Sequence, residues 1–134
     1  MTSTAPRAMA PEHLCERFAS CVAAGDVEGI VGLYAADAVV SLPRGREAAG
    51  PDAIRAAFAA ALAAGVDLGT DAGLDLTTRV VHVGSLAMTS TSDAEGTVRT
   101  QVARREPDGS WLWVRDGSRL RAVEAALPEL PDVA

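Results

Sequence analysis

The chain has 134 residues, of which 49% are hydrophobic, and this combination fits one soluble domain with one core and excludes a disordered chain. Its 12 basic and 18 acidic residues give a net charge of −6, so it lacks the basic surface that nucleic-acid binding needs. No apolar run approaches the roughly 20 residues of a membrane span, and no secretory pattern opens the sequence, so we expect a cytoplasmic protein outside the membrane.

The cysteines and histidines predict neither a disulfide nor a metal site. Cys15 and Cys21 lie on one predicted helix, and their spacing turns the two side chains about 240° apart, so they cannot bridge each other. Two cysteines and two distant histidines match no metal-ligand spacing. We therefore expect two reduced, packed thiols, no metal and no other cofactor.

Two apolar patterns of helical period begin at a proline and end at a glycine. The first begins at Pro11, ends near Gly25 and has one apolar stripe, formed by Leu14, Phe18, Cys21 and Val22. The second begins at Pro51, ends near Gly65 and has apolar residues at steps of four, namely Ile54, Phe58 and Leu62. These patterns predict the first and third helices of the domain.

Between these helices the sequence predicts a second helix and a short strand. Asp26 is a good N-cap for a helix that runs through Val27, Ile30, Val31 and Tyr34. Residues 38–42 then form a short strand that Pro43 stops, and residues 44–50 form a loop or a further short strand.

The second half of the chain changes to a period of two, which predicts four consecutive strands. They are Leu74–Val83, Ser85–Ser92, Thr97–Glu106 and Ser110–Leu120. Turn residues separate them, so neighbouring strands should pair as an antiparallel meander. Helices followed by strands indicate an α+β domain. We assign a flexible N-terminus to residues 1–10, the single domain to 11–121 and a C-terminal tail to 122–134.

Three segments carry a family resemblance: AAGDVEGIVGLYAADAVVSLPRGREAAGPDAIRAAFAAAL, VVHVGSLAMTSTS and QVARREPDGSWLWVRDGS. In order and spacing they resemble the nuclear-transport-factor-2-like (NTF2-like) superfamily, in its SnoaL-like and SgcJ/EcaC-type branch, which also contains ketosteroid isomerase. The resemblance covers about residues 11–121. It implies a cystatin-like α+β barrel, in which a cone-shaped, curved antiparallel sheet wraps around three N-terminal helices and its interior binds a small molecule.

The same resemblance allows a test for steroid isomerase chemistry. Aligned without a gap through the first two helices, the family's proton-abstracting Asp falls on Leu42 and its oxyanion Tyr falls on Phe18. The protonated Asp that serves as second oxyanion donor falls near Val102. Without a base or a donor pair, we expect no steroid isomerisation by that mechanism.

Strand alternation assigns one face of the last strands to the interior. Thr100 and Val102 share the side that we expect inside, together with Val98. In the last strand Leu112, Val114 and Asp116 alternate, and the resemblance places this set towards the cavity. An inward Asp116 loses hydration and becomes a candidate general acid or base; as the alternative, Asp116 with Gly117 forms a solvated turn.

Several further residues are candidates for the same pocket. Tyr34 and His82 are candidate assisting groups, and a packed core role is the alternative for each. The predicted ligand-lining residues give an apolar surface with a few hydroxyls, which is typical of a small-molecule site. They are Phe18, Leu42, Phe58, Met88, Ser90, Thr100, Val102, Val114 and Ser118.

Two functions follow and the sequence leaves both open. One is an enzyme of secondary metabolism, a cyclase, isomerase or hydrolase that acts on an apolar polyketide-like, aromatic or terpenoid compound with Asp116 as acid and base. The other is a non-catalytic, dimeric ligand-binding or accessory protein.

Alternation puts Trp111 and Trp113 on the outer face of the sheet. Side chains of this size would need burial there, so we expect a homodimer through the sheet.

Overall fold

The computed structural model describes residues 7–42, 45–65, 77–92 and 98–117. This part of the chain contains three helices and six strands, in the order α1 (Pro11–Ala24), α2 (Val27–Val31), β1 (Tyr34–Ser41), β2 (Glu47–Ala49), α3 (Pro51–Ala63), β3 (Thr77–Val83), β4 (Leu86–Ser92), β5 (Val98–Arg105) and β6 (Trp111–Asp116). None of the described helices has the length and hydrophobicity needed to cross a membrane. The predictions for Ser118, the tail at 122–134 and the turn at 93–96 lie outside the described residues.

The first and third helices confirm the predicted patterns. Pro11 and Pro51 each occupy the first position of a helix, where the missing N–H costs no hydrogen bond. Gly25 ends α1 in the left-handed conformation, with a φ of 66° that favours glycine. The buried faces carry Phe18 on α1 and Phe58 on α3, and their rings meet at a centroid distance of 5.7 Å.

The second helix is shorter than predicted, and Tyr34 does not belong to it. Asp26 caps it as expected, because its side chain accepts a hydrogen bond from the N–H of Gly29, but the helix ends at Val31. Tyr34 is instead the first residue of β1 and pairs with Trp113 of β6. The N–H of Trp113 donates to the carbonyl of Leu33 at 2.8 Å, so strand pairing overrides the continued helical pattern.

The six strands form one curved sheet in the order β2-β1-β6-β5-β4-β3, which is not closed over the described residues. The predicted antiparallel meander of β3 to β6 is confirmed. β1 pairs with β6 in parallel, so the sheet is mixed rather than purely antiparallel. The helices pack on one face, and this face contains the core.

In the last strand, β6, alternation predicts that the side of Leu112 and Val114 faces the interior. The structure shows that the other side of this strand does. Trp111 and Trp113 are buried in the core, with 5% and 1% of their surface exposed, whereas Leu112 and Val114 are only half-buried. Asp116 is nevertheless fully buried. The prediction that the two tryptophans lie on an outer face is therefore wrong.

A β-bulge in β6 explains how both tryptophans and Asp116 reach the interior. Ala103 of β5 pairs with Trp113, but the next residue of β5, Val102, pairs with Arg115. Val114 is the extra residue, and it shifts the alternation by one position before Asp116. The small side chain of Ala103 also leaves room for the neighbouring indole.

The expected face of β5 is also wrong. Gln101 and Ala103 are buried, while Thr100 and Val102 on the other side of the strand are half-buried. Gln101 tolerates the interior because the hydroxyl of Thr89, across from it on β4, bonds to its side chain. Hydrophobicity alone favours burial of the face with Val102, but the face with the hydrogen-bonded Gln101 is the buried one.

Candidate functional site

The interior of the sheet contains a hydrogen-bonded pair of ionisable side chains. The hydroxyl of Tyr34, at the start of β1, donates to Oδ2 of Asp116, at the end of β6, over 2.7 Å. Both side chains are buried, with exposed fractions of 6% and 0%. The parallel pairing of β1 with β6 brings the two strands together, and the bulge at Val114 turns Asp116 to the same face as Tyr34.

A second polar pair lies in the same cross-strand row. Asp116 is the register partner of Gln101, and Gln101 is the register partner of Thr89. The Thr89 hydroxyl donates to Oε1 of Gln101 at 2.9 Å in the buried interior. Since the amide oxygen of Gln101 accepts this bond, its amino group is left as the donor for other neighbours. The row thus combines a carboxylate, an amide and a hydroxyl.

Tyr34 of this pair belongs to a cluster of four aromatic rings. Trp113 lies 5.4 Å from Tyr34 and 5.9 Å from Phe18, between ring centroids. Phe58 lies 6.0 Å from Tyr34. These rings come from α1, α3, β1 and β6, and they form an apolar wall that strengthens the electrostatic interactions of Asp116 by excluding water.

Of the predicted site residues, the structure brings together Tyr34, Asp116, Phe18 and Phe58 in the interior. Leu42 is half-buried and packs against the same core.

His82 does not join this group. It is exposed on β3, three strands away from β6 in the sheet, and its ring meets the edge of Trp111 at 5.5 Å. An assisting role beside Asp116 is therefore not supported by its position.

Most of the predicted lining residues lie on the wrong face for this interior. Ser90, Thr100 and Val102 alternate with the buried Thr89 and Gln101, so they lie on the outer face of the sheet. Two further predictions fail in the same way: the outer-face side chain of Met88 is 48% exposed, and the bulge residue Val114 is outside the buried row. The cause is the register described above, since one shifted position moves a whole set of side chains to the other face.

Sequence reasoning missed three interior residues: Thr89, Gln101 and Trp113. One signal could have identified their face. The row across Trp113 consists of Ala103 and Ala87, both buried, and two large indoles need such small residues beside them. The alanines of β4 and β5 therefore indicate which face receives the tryptophans.

Neither the cysteines nor the surface grooves of the described residues add a second site. Neither Cys15 nor Cys21 forms a disulfide within the described residues, and burial together with the charge of Asp26 raises the pKa of Cys21, which favours the protonated thiol. No metal-binding cluster exists among the described residues. One groove lies on α1, beside His13, another lies at the β5–β6 turn, and neither is lined by Tyr34 or Asp116.

Comparisons with known proteins agree with this fold. The family model of the SnoaL-like domain matches residues 15–124. A search of curated proteins found no match. The same fold occurs in an NTF2-like protein with a cystatin-like fold from Novosphingobium aromaticivorans, which is 20% identical, with 90% of this chain and 86% of that chain covered and a TM-score of 0.61.

Two further solved structures resemble this fold to a similar degree. A candidate ketosteroid isomerase from Shewanella frigidimarina is 16% identical, with 78% of this chain and 90% of that chain covered and a TM-score of 0.60. A candidate calcium/calmodulin-dependent protein kinase type II association domain from Thiobacillus denitrificans is 18% identical, with 85% and 97% covered and a TM-score of 0.60. Such different descriptions at these identities share the fold alone. The predicted family resemblance and the cystatin-like α+β fold are confirmed.

Proposed function

We propose that this chain, which belongs to the SnoaL-like family within the NTF2-like superfamily, binds a small apolar organic compound and acts on it with Tyr34 and Asp116 as a coupled acid–base pair. The observation that carries the proposal is the 2.7 Å hydrogen bond between these two buried side chains. Carboxylates are rarely buried in a protein core, so their presence in an apolar interior is a candidate mark of function.

The chemistry of this pair suits proton transfer. The carboxylate of Asp116 can take a proton from an activated C–H or O–H group and return it elsewhere on the same molecule. The hydroxyl of Tyr34, already directed at Asp116, stabilises the negative charge of the carboxylate before it takes the proton and after it returns it. Removal and return of a proton on one molecule are the steps of a cyclase or an isomerase, and neither step needs a cofactor.

The surroundings favour an apolar, flat compound. Phe18, Phe58 and Trp113 present aromatic faces and edges around the pair, and the Thr89–Gln101 pair adds a small polar region. This lining supports a polyketide-like, aromatic or terpenoid ligand. A role in secondary metabolism, in the cytoplasm, is part of the same proposal.

A non-catalytic binding protein is the second candidate. It is favoured by the complete burial of Asp116, whose carboxylate is bonded to Tyr34 rather than open to a substrate. Phe18 and Leu42 at the positions of the isomerase groups point the same way.

Proton exchange on a model ketone separates the two functions. Methyl naphthyl ketone is a flat aromatic probe whose acidic methyl protons exchange with deuterium, which proton NMR follows. An acid–base enzyme accelerates this exchange, and Asp116→Asn should lower the acceleration by about 100-fold or more while binding, measured by fluorescence, stays within a few-fold. His82→Ala serves as the control and should change neither quantity.

Three results contradict parts of this proposal. Binding without accelerated exchange in the wild type favours the non-catalytic protein. Equal exchange in the wild type and in Asp116→Asn removes Asp116 from the mechanism. No binding of aromatic, polyketide-like or terpenoid ketones at millimolar concentration overturns the ligand class.

The proposal includes a homodimer through the outer face of the sheet, although not through the tryptophans. Four apolar side chains that are 44–74% exposed lie side by side on β3 and β4. This outer apolar patch consists of Val81, Val83, Leu86 and Met88. A contiguous apolar surface of this kind favours association, and a second copy of the chain offers a self-complementary partner.

A further inference from the structure

Two buried side-chain nitrogens of the described residues have no hydrogen-bond partner, Nε1 of Trp113 and Nη1 of Arg115, and the first of them lies in the core. The indole Nε1–H of Trp113 is buried, and it makes no hydrogen bond within the described part of the chain. Such a donor has lost its water without gaining an acceptor, which is uncommon in folded proteins and calls for an explanation. The indole can only donate, so the missing partner is an acceptor.

This unpartnered donor lies beside the candidate acid–base pair. The ring of Trp113 is 5.4 Å from that of Tyr34, and the hydroxyl of Tyr34 bonds to Asp116. The amino group of Gln101, the register partner of Asp116, adds donors in the same row because its amide oxygen is used by Thr89. Two side chains of this part of the interior thus carry N–H donors, and the N–H of Trp113 is the one without an acceptor.

We infer that Trp113 is a specificity-determining residue, whose indole N–H donates to a carbonyl oxygen of the ligand bound against Tyr34 and Asp116. The inference rests on the proposed function, and it narrows the ligand class to aromatic or polyketide-like ketones. A ketone suits both groups, because its oxygen accepts the bond from Trp113 while its acidic α-proton is the kind that Asp116 can remove. A hydrocarbon of the same shape leaves the indole N–H unpaired.

The first test needs no ligand. Trp113 is replaced by benzothienylalanine, which keeps the shape of the indole and substitutes sulfur for the N–H. Because the donor has no partner in the fold, the urea midpoint of the ligand-free protein should stay unchanged or rise. A lower midpoint would mean that the N–H is bonded within the protein, and the inference would be overturned.

The second test compares two probes of equal shape. They are methyl naphthyl ketone and isopropenylnaphthalene, in which a CH₂ group replaces the carbonyl oxygen. The wild type should bind the ketone about tenfold more tightly, and the replacement at Trp113 should bring the two affinities together. The same replacement at Trp111, which lies outside the pair, is the matched control and should preserve the preference.

The outcomes distinguish the inference from the proposed function. A preference that survives the replacement at Trp113 overturns the inference while ligand binding still stands. A wild type that binds neither probe overturns the proposed ligand class and the inference with it, and the midpoint test still reports whether the indole N–H is unpaired.

Discussion

The hydroxyl of Tyr34 bonds to the carboxylate of Asp116 across 82 positions of sequence. This bond joins the first residue of β1 to the last residue of β6, the only parallel strand pair among the described residues. It therefore links the helical half of the chain to the end of the meander in the buried core.

Removing the hydroxyl should destabilise the fold. Tyr34→Phe takes a donor away from a buried carboxylate, and we expect a loss of about 1–3 kcal/mol in the free energy of unfolding. Urea denaturation at neutral pH measures this loss. In a double-mutant cycle with Asp116→Asn, the two losses should be less than additive, because Tyr34→Phe removes and Asp116→Asn weakens the same bond. Strict additivity would contradict a direct interaction.

An exposed ion pair provides the contrast. Arg104 bonds to Asp37 at 3.0 Å, with the Asp37 side chain 67% and the Arg104 side chain 37% exposed, and lowers the pKa of Asp37. Arg104→Gln should lower the free energy of unfolding by clearly less than Tyr34→Phe does, since water screens such pairs. A cost equal to that of Tyr34→Phe would mean that burial is not what makes the Tyr34–Asp116 bond important.

The proposed dimer predicts that a charge in the outer apolar patch separates the subunits. Met88→Glu should yield a folded monomer at tens of micromolar, measured by light scattering with circular dichroism as the check on folding. Ala59→Glu, on the exposed surface of α3, should leave the dimer intact. A monomeric wild type at this concentration would contradict the dimer.

The same charge at Trp113 should have a different effect. Trp113 is 1% exposed, so Trp113→Glu buries an unpaired carboxylate in an aromatic cluster and should unfold the protein, with a loss above about 4 kcal/mol. Circular dichroism distinguishes this from dissociation. A folded monomer would instead support the outer position that alternation predicts.

The sequence predicts the elements well because their signals are local. Pro11 and Pro51 mark the starts of two helices, and the period of two in the second half predicts each strand of the meander. The prediction that Tyr34 belongs to the second helix is wrong, because its helical spacing from Ile30 carries no information about pairing with β6. Pairing with Trp113 decides its conformation, and that contact is distant in the sequence.

The site was only partly predictable, for a related reason. Asp116 is buried as expected, but the reason is different. Alternation predicts that it is buried together with Leu112 and Val114, whereas the structure buries it together with Trp111 and Trp113. Nothing in the residue types around Val114 marks a bulge, because there is no glycine. The interior row of Thr89 and Gln101 became visible only with the register of three strands.

Acid should weaken the turn between β5 and β6. The backbone N–H and the hydroxyl of Ser110 donate to Oδ1 of Asp108 at 2.9 and 2.5 Å, and they hold the pKa of Asp108 below its ordinary value of 3.8. A lowered pKa in the folded state gives stability that is present above the unfolded value and is lost as the pH falls through the folded one. Asp108→Asn should therefore make the fall in stability below about pH 4 shallower.

Urea midpoints at neutral pH and near pH 3 measure this difference. Glu12→Gln, on the exposed first turn of α1, is the control and should leave the acid dependence as in the wild type. An identical acid dependence in Asp108→Asn would show that Asp108 does not couple protonation to folding.

The bulge makes the sharpest prediction about the arrangement of β6. Val114 is the one residue of this strand that has no partner position on β5, so deleting it restores regular alternation and leaves Trp113 and Asp116 on the inner face. The deletion should cost roughly 1–2 kcal/mol for the lost half-buried side chain and preserve the fold. Deleting Leu112, also apolar and half-buried, instead puts Trp111 next to Trp113 and forces one indole out of the core. Only the Leu112 deletion should lose the cooperative urea transition and the blue-shifted tryptophan fluorescence. An equal loss of stability in both deletion variants would contradict the assigned register.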